Sequence, residues 1–276
     1  EVEDHATGMT YRESYDKLIL APGAAPIRPP IPGADLPNIF VLRDIPDTDA
    51  IKARIEEGTA KRAVVVGGGF IGLEMAENLR RQKLDVAIVE MLDQVMPPLD
   101  YDMAVILHRH LELNGVELHL EDSVTAFARN PQEGIDVTLG SGIRLSCDFV
   151  TLGVGIRPES NLAKAAGLEL GVRGAIQVNE HLQTSNPDIY AIGDAIEVTD
   201  FVTGDPAVIP LAGPANRQAR IAVDHLFGRN VRYPGTLGTS IVRVFDLTAA
   251  STGANEKALK RLGIEYRKSV VHPMSH

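Results

Sequence analysis

Within Lys61–Glu90 (KRAVVVGGGFIGLEMAENLRRQKLDVAIVE), Gly67, Gly69 and Gly72 follow an apolar run, and Glu90 closes the stretch. The spacing is G-x-G-x-x-G. Gly67 suits a tight turn, Gly69 lets a pyrophosphate approach the backbone, and Gly72 lets a helix pack close to a strand. The free N–H groups at the start of that helix, with its positive dipole end, suit phosphate. Glu90 lies at about the offset from which a carboxylate reaches a ribose 2′-hydroxyl. A lone glycine fingerprint is weak evidence. Strand, fingerprint, helix, strand and acid in order point to a dinucleotide, with a plain glycine-rich βα turn as the alternative.

These residues need elements to hold them. Ala63–Val66 and Asp85–Glu90 read as buried parallel strands. A helix is expected over Tyr101–Leu113, ended by Asn114 and Gly115, then a strand over Val116–Leu120. Ser123–Arg129, Ile135–Leu139 and Ile143–Cys147 read as an antiparallel meander, and Phe149–Gly153 as another buried strand. A hairpin followed by a buried strand, Lys17–Leu20, is expected before the irregular proline-rich Pro26–Pro37. Asp47 is the expected N-cap of a helix over Thr48–Glu57. Further on, Ser160–Gly167 and Pro214–Phe227 read as helices. Ala175–Val178, Ile189–Ile192 and Ser240–Phe245 read as strands.

Composition narrows the classes. The 276 residues are 44% hydrophobic and 23% charged, ordinary for a globular chain of about two domains. A net charge of −10 argues against a nucleic-acid partner and suits a cytoplasmic protein. No stretch approaches the ~20 apolar residues of a membrane span. The single cysteine, Cys147, excludes a disulfide framework, a cysteine metal cluster and an internal dithiol pair. Cys147 itself reads as a buried, inert thiol. No metal site is expected: His108 and His110 point to different helix faces, and His119 does not repair the spacing. Arg80, Arg81 and Lys83 read as the solvated face of their helix. His272-Pro273-Met274-Ser275-His276 reads as a strand-end loop.

Four separated motifs agree on a resemblance. Tyr15–Pro26 (YDKLILAPGAAP), Val66–Glu74, Phe149–Pro158 (FVTLGVGIRP) and Asn186–Ala195 (NPDIYAIGDA) resemble the FAD and NAD segments of the pyridine nucleotide-disulfide oxidoreductases. Leu211–Arg220 (LAGPANRQAR) and Gly238–Glu256 (GTSIVRVFDLTAASTGANE) resemble the branch of NADH oxidases, coenzyme A-disulfide reductases and NADH-dependent persulfide reductases. The resemblance implies an α/β, Rossmann-like two-dinucleotide flavoprotein fold with an antiparallel β-meander and the start of an α+β dimerisation domain. It implies four parts: 1–46, the end of the first FAD half; 47–159, the NAD(H) domain; 160–233, the second FAD half; and 234–276, a truncated dimerisation domain. The family's first FAD fingerprint and its redox cysteine have no counterpart before Tyr15, so the chain reads as an internal fragment with no catalytic residue of its own.

The resemblance also implies roles. NAD(H) would lie against Gly67, Gly69, Phe70, Ile71, Gly72, Glu74, Glu90 and Gly155. Phe70 stands where the family often has a gating tyrosine, and Glu74 is expected to face the nicotinamide end. FAD would lie against Ala21, Pro22, Gly23, Asp194, Leu211, Ala212 and Gly213. Glu90 would favour NADH by repelling a 2′-phosphate. The expected activity is hydride transfer from NADH to FAD, then to a small disulfide, a persulfide or oxygen, in a homodimer of the intact protein. A ferredoxin-reductase-type flavoprotein and a non-catalytic NAD-binding fragment are the alternatives.

Overall fold

The computed structural model describes residues 1–273. It divides into two compact units, Glu1–Ala25 with Arg157–Gly238, and Pro26–Ile156 with Thr239–His276. Met274, Ser275 and His276, and the loop reading placed on them, lie outside the described residues.

The second unit is built on a five-stranded sheet in the order Ile39–Val41, Phe149–Leu152, Arg62–Val66, Asp85–Val89, Val116–His119. Every pairing in it is parallel. Alternation of side chains along each strand divides the core into two layers. Ala63, Val65, Val86, Ile88 and Phe149 pack with Leu73, Ala76 and Leu79 of helix Phe70–Arg81 and with Ala104, Leu107 and Leu111 of helix Tyr101–Leu113. On the other face, Val64, Val66, Ala87, Val89 and Val150 pack with Phe127, Ile135, Val137, Leu139 and Leu145. Those partners come from the antiparallel meander Val124–Arg129, Ile135–Leu139, Arg144–Cys147.

Two further segments belong to this unit. Within residues 26–46, Ile39–Val41 is the sheet's edge strand, paired with Val150–Leu152, and Pro32 O accepts the Phe127 N–H. The hairpin Ser240–Val244/Leu247–Ser251 buries Val242 and Val244 in the helical layer. It is pinned where Phe245 N donates to the buried Glu77 carboxylate at 2.8 Å.

The first unit pairs Leu18–Leu20 with Ile189–Ala191 in parallel. Leu20, Ile189, Tyr190 and Ala191 pack with Ile176, Ile196 and Ala222, the last from helix Ala212–Leu226. A hairpin, Val2–Asp4 with Met9–Tyr11, precedes it. Of the strand expected to be buried at Lys17–Leu20, only Leu20 is buried.

Local expectations differ from the structure at several further places. The helix near residue 50 spans Ile45–Glu56 and its cap is Asp44, whose carboxylate accepts from Asp47 N. Pro46 sets the first turn, where its fixed φ suits a helix start, so the helix begins three residues earlier. Ala175–Val178 is not a strand: Ile176 makes two isolated bridges, to Leu170 and Ile196. Helix Ala212–Leu226 starts before Pro214. Arg80 is not a solvated charge but half-buried, donating to Leu84 O (2.6 Å) and Asn114 O (3.1 Å). Its head closes over Gly115, where a Cβ would stand 2.6 Å from Arg80 Nη2.

Candidate dinucleotide and flavin sites

Three adjacent strands of the five-stranded sheet end at one place. Gly67 follows Arg62–Val66, Gly153–Gly155 follow Phe149–Leu152, and Glu90 follows Asp85–Val89. The crevice beyond the carboxyl ends of parallel strands is where such sheets bind ligands. A cavity of about 430 Å³ lies there, lined by Gly67, Gly69, Glu90, Leu92, Pro97 and Gly155 among others.

The glycine turn is tight for stated reasons. Gly67 has φ +106°, and a Cβ on it would run into the Gly153 carbonyl. A Cβ on Gly72 would run into the Gly67 carbonyl. Gly69 differs: a Cβ there would meet nothing within 4 Å. That open space, on the residue that caps helix Phe70–Arg81 without a side-chain cap, leaves unpaired N–H groups for an anion. The donor set fits a pyrophosphate.

Glu90 is 8% exposed. Its Oε2 accepts the Gly68 N–H at 2.6 Å and its Oε1 the Leu92 N–H at 2.9 Å. The carboxylate therefore shapes the turn before any ligand arrives. Two of its roughly four acceptor positions remain, enough for a ribose diol. Phe70, Ile71 and Glu74 lie in the first turns of the helix. Phe70 and Ile71 are half-buried and Glu74 is exposed; none of the three belongs to the cavity wall.

In the first unit the same logic recurs. Ile192 N donates to Leu20 O, so Ala21, Pro22 and Gly23 leave one strand end beside Gly193 and Asp194 at the end of the next. Gly23 and Gly193 have φ +74° and +78°. Asp194 is half-buried and hydrogen-bonds to no described residue; burial pushes its carboxyl up. Leu211 caps helix Ala212–Leu226 without a side-chain bond, and Ala212 and Gly213 are exposed. A half-buried carboxylate with no described hydrogen-bond partner, near a bare helix start, fits a ligand rich in hydroxyls and carrying negative charge.

Several contributing residues were not legible in the sequence. Gln218, 2% exposed, accepts the Gly193 N–H at 2.8 Å and fixes the Asp194 turn. Gly68 is held at its N–H by Glu90 and at its carbonyl by Met96 N (2.8 Å). The segment Met91–Leu99 that does this has no periodicity to betray it. Cys147 is buried and its thiol is pushed up to about 12, chiefly by burial, as expected of an inert thiol. The three histidines weighed as ligands each have separate partners: Val95 N for His108, Asp246 for His110, Glu117 for His119. No helix among the described residues is long and apolar enough to cross a membrane.

Comparison with known proteins agrees with this geometry. The family model for pyridine nucleotide-disulphide oxidoreductases matches residues 1–219. The NADH oxidase of Methanocaldococcus jannaschii is 40% identical over 260 residues, 93% of this chain and 57% of that protein. The chain thus spans little more than half the length of such curated relatives. The crystal structure of reduced Bacillus anthracis CoADR-RHD is similar at a TM-score of 0.93 and 54% identity, over 96% of this chain and 47% of that one. An engineered water-forming NADPH oxidase bound to NADPH, made from the Lactobacillus brevis NADH oxidase, is similar at 0.89 and 31%, over 95% and 57%. With the parallel sheet and glycine turn in place, these matches show that the chain belongs to the pyridine nucleotide-disulphide oxidoreductase family.

Proposed function

We propose that this chain carries the NADH site and part of the FAD site of a flavin-dependent oxidoreductase. The observation behind this reading is Glu90, pinned by Gly68 N and Leu92 N in the wall of the cavity that Gly69 opens. When bound, the two cofactors supply the redox chemistry, a hydride passing from reduced nicotinamide to flavin and two electrons on to a disulfide, persulfide or oxygen.

The residues do the placing. Gly67, Gly69 and Gly72 shape the phosphate turn, Phe70 and Ile71 open its helix, and Gly155 leaves room beside it. Glu74 supplies a carboxylate on the helix's exposed face. Asp194 accepts flavin hydroxyls, the N–H groups at Ala212 and Gly213 face developing negative charge, and Ala21, Pro22 and Gly23 let the chain pass close. Cys147, buried with its thiol at about 12, takes no part, so thiol chemistry falls outside this chain. Homodimerisation of the intact protein through a domain beginning near residue 234, and a cytoplasmic setting, belong to the same proposal. The family resemblance and the acidic composition support them.

Selection of NADH over NADPH is the finer part of the reading. The engineered NADPH oxidase differs from its parent at a glycine, an aspartate, the two residues after it and a later proline. Gly72, Glu90, Met91, Leu92 and Pro97 follow one another with the same spacing here. The last four of them line the cavity. A carboxylate beside two apolar residues repels a 2′-phosphate and offers it no cation.

The test uses the whole chain with added FAD. Anaerobic NADH is expected to bleach the flavin band, with no turnover of a small disulfide. A flavin that binds but stays oxidised under excess NADH would overturn the hydride route. Turnover of the disulfide would overturn the placement of thiol chemistry outside this chain.

A further inference from the structure

His108 sits on helix Tyr101–Leu113, half-buried, and its Nε2 accepts the Val95 N–H at 3.1 Å. An imidazole nitrogen accepts only when it carries no proton, so the ring is neutral with its proton on Nδ1. The next N–H along, that of Met96, donates to Gly68 O at 2.8 Å, and the Gly68 N–H goes to Glu90. One residue of the phosphate turn, Gly68, is thus held through both of its peptide groups, and one of these contacts leads back through Val95–Met96 to His108.

The gripping segment needs outside support. Met96 has φ +50°, unfavourable for a residue with a side chain. Gln94 is 1% exposed; its Nε2 donates to Leu99 O at 3.0 Å and, at 3.3 Å, to Val95 O and Met96 O. Its Oε1 is buried without a partner. Val95 is fully buried, and its Cγ1 would stand 2.9 Å from a Cβ on Gly68. Loss of the Val95 bond is therefore felt directly at Gly68.

We propose that His108 is a positioning residue for the dinucleotide's phosphate turn, holding Val95–Met96 against Gly68 when neutral and releasing them when protonated. Protonated Nε2 becomes a donor facing the Val95 donor, and the bond is replaced by repulsion. The charged and titratable groups facing the ring are Glu112, one turn along the same helix, and Asp93 on the gripping segment. Tyr101 meets it edge-on at 6.3 Å between ring centres. Both carboxylates favour the imidazolium, but burial outweighs them and holds the ring below the usual histidine range. The grip therefore persists at neutral pH and loosens in mild acid.

This inference rests on reading Gly67–Gly72 as a nucleotide turn. The test titrates NAD+, which survives acid, by calorimetry from about pH 7.5 down to 5. Amide-exchange protection of Gly68, Val95 and Met96 is followed over the same range. Affinity is expected to weaken about fivefold on acidification, with protection at the three amides falling together. His108→Gln, whose side-chain oxygen accepts without titrating, should flatten both curves. His108→Leu should bind weakly at every pH. Affinity independent of pH in the unaltered protein, or the same pH response in His108→Gln, would overturn the proposal while leaving the nucleotide site standing. Failure of NAD+ to bind at any pH would overturn both.

Discussion

The strands Asp85–Val89 and Ile189–Ala191 each lead into a carboxylate, Glu90 and Asp194, and the two carboxylates are in opposite states. Glu90 is already engaged by the N–H groups of Gly68 and Leu92. Asp194 is half-buried with no described partner, and desolvation pushes its carboxyl up. In the reading proposed above, the engaged acid Glu90 builds its turn and meets the ligand with what acceptor capacity remains. Asp194 leaves its turn to Gln218 and keeps its carboxylate for a ligand. Two strand-end carboxylates thus divide into a proposed shaping role and a proposed receiving role, according to where the backbone N–H groups point.

The largest effect is expected at the glycine turn beside Glu90. Gly67→Ala adds a Cβ at φ +106° against the Gly153 carbonyl. It should destabilise the chain by about 3 kcal/mol or more, read from urea unfolding. A loss under about 1 kcal/mol would mean that the turn is not rigid.

Glu90→Ala combined with Met91→Arg removes the repelling charge and adds a cation. The ratio of NADH to NADPH affinity should shift about 100-fold toward NADPH, measured by calorimetry. An unchanged ratio would show that Glu90 only shapes the turn.

In the other region, Gln218→Leu leaves the Gly193 N–H without its acceptor. A cost of about 1–2 kcal/mol is expected, with weaker FAD binding. No change in either would show that the Asp194 turn is held by something other than this bond.

Asp194→Asn should do the least to stability. A carboxyl raised in the folded state binds more protons folded than unfolded, so it subtracts stability as pH rises through the carboxylate range. The variant should therefore be the more stable at neutral pH, by under about 1 kcal/mol after solvent screening. The advantage should vanish as pH falls below that range. FAD affinity should drop in the same variant. A stability loss at neutral pH would mean that Asp194 has a structural partner and is not waiting for a ligand.

The sequence was most legible where period and glycine geometry coincide. Arg62–Val89 shows a buried run, a fingerprint and an amphipathic helix in order, and the meander shows alternation broken by glycine turns. Tyr101–Leu113 lies where the pattern puts it. Legibility failed at one local helix start and wherever long-range contacts decide. Asp44 rather than Asp47 caps its helix because Pro46 starts the turn early. Arg80 looks like a surface charge until Gly115 and Leu84 close around it. Met91–Leu99 carries no periodicity, yet it lines the cavity and grips Gly68. His108, weighed in sequence only as a metal ligand, accepts the Val95 N–H of that segment.

Whether Glu90 and the glycine turn form an NADH site is decided by titrating the whole chain with NADH and with NADPH under identical conditions. NADH should bind at least about tenfold tighter. Equal or tighter binding of NADPH, or no binding of either, would rule the NADH site out.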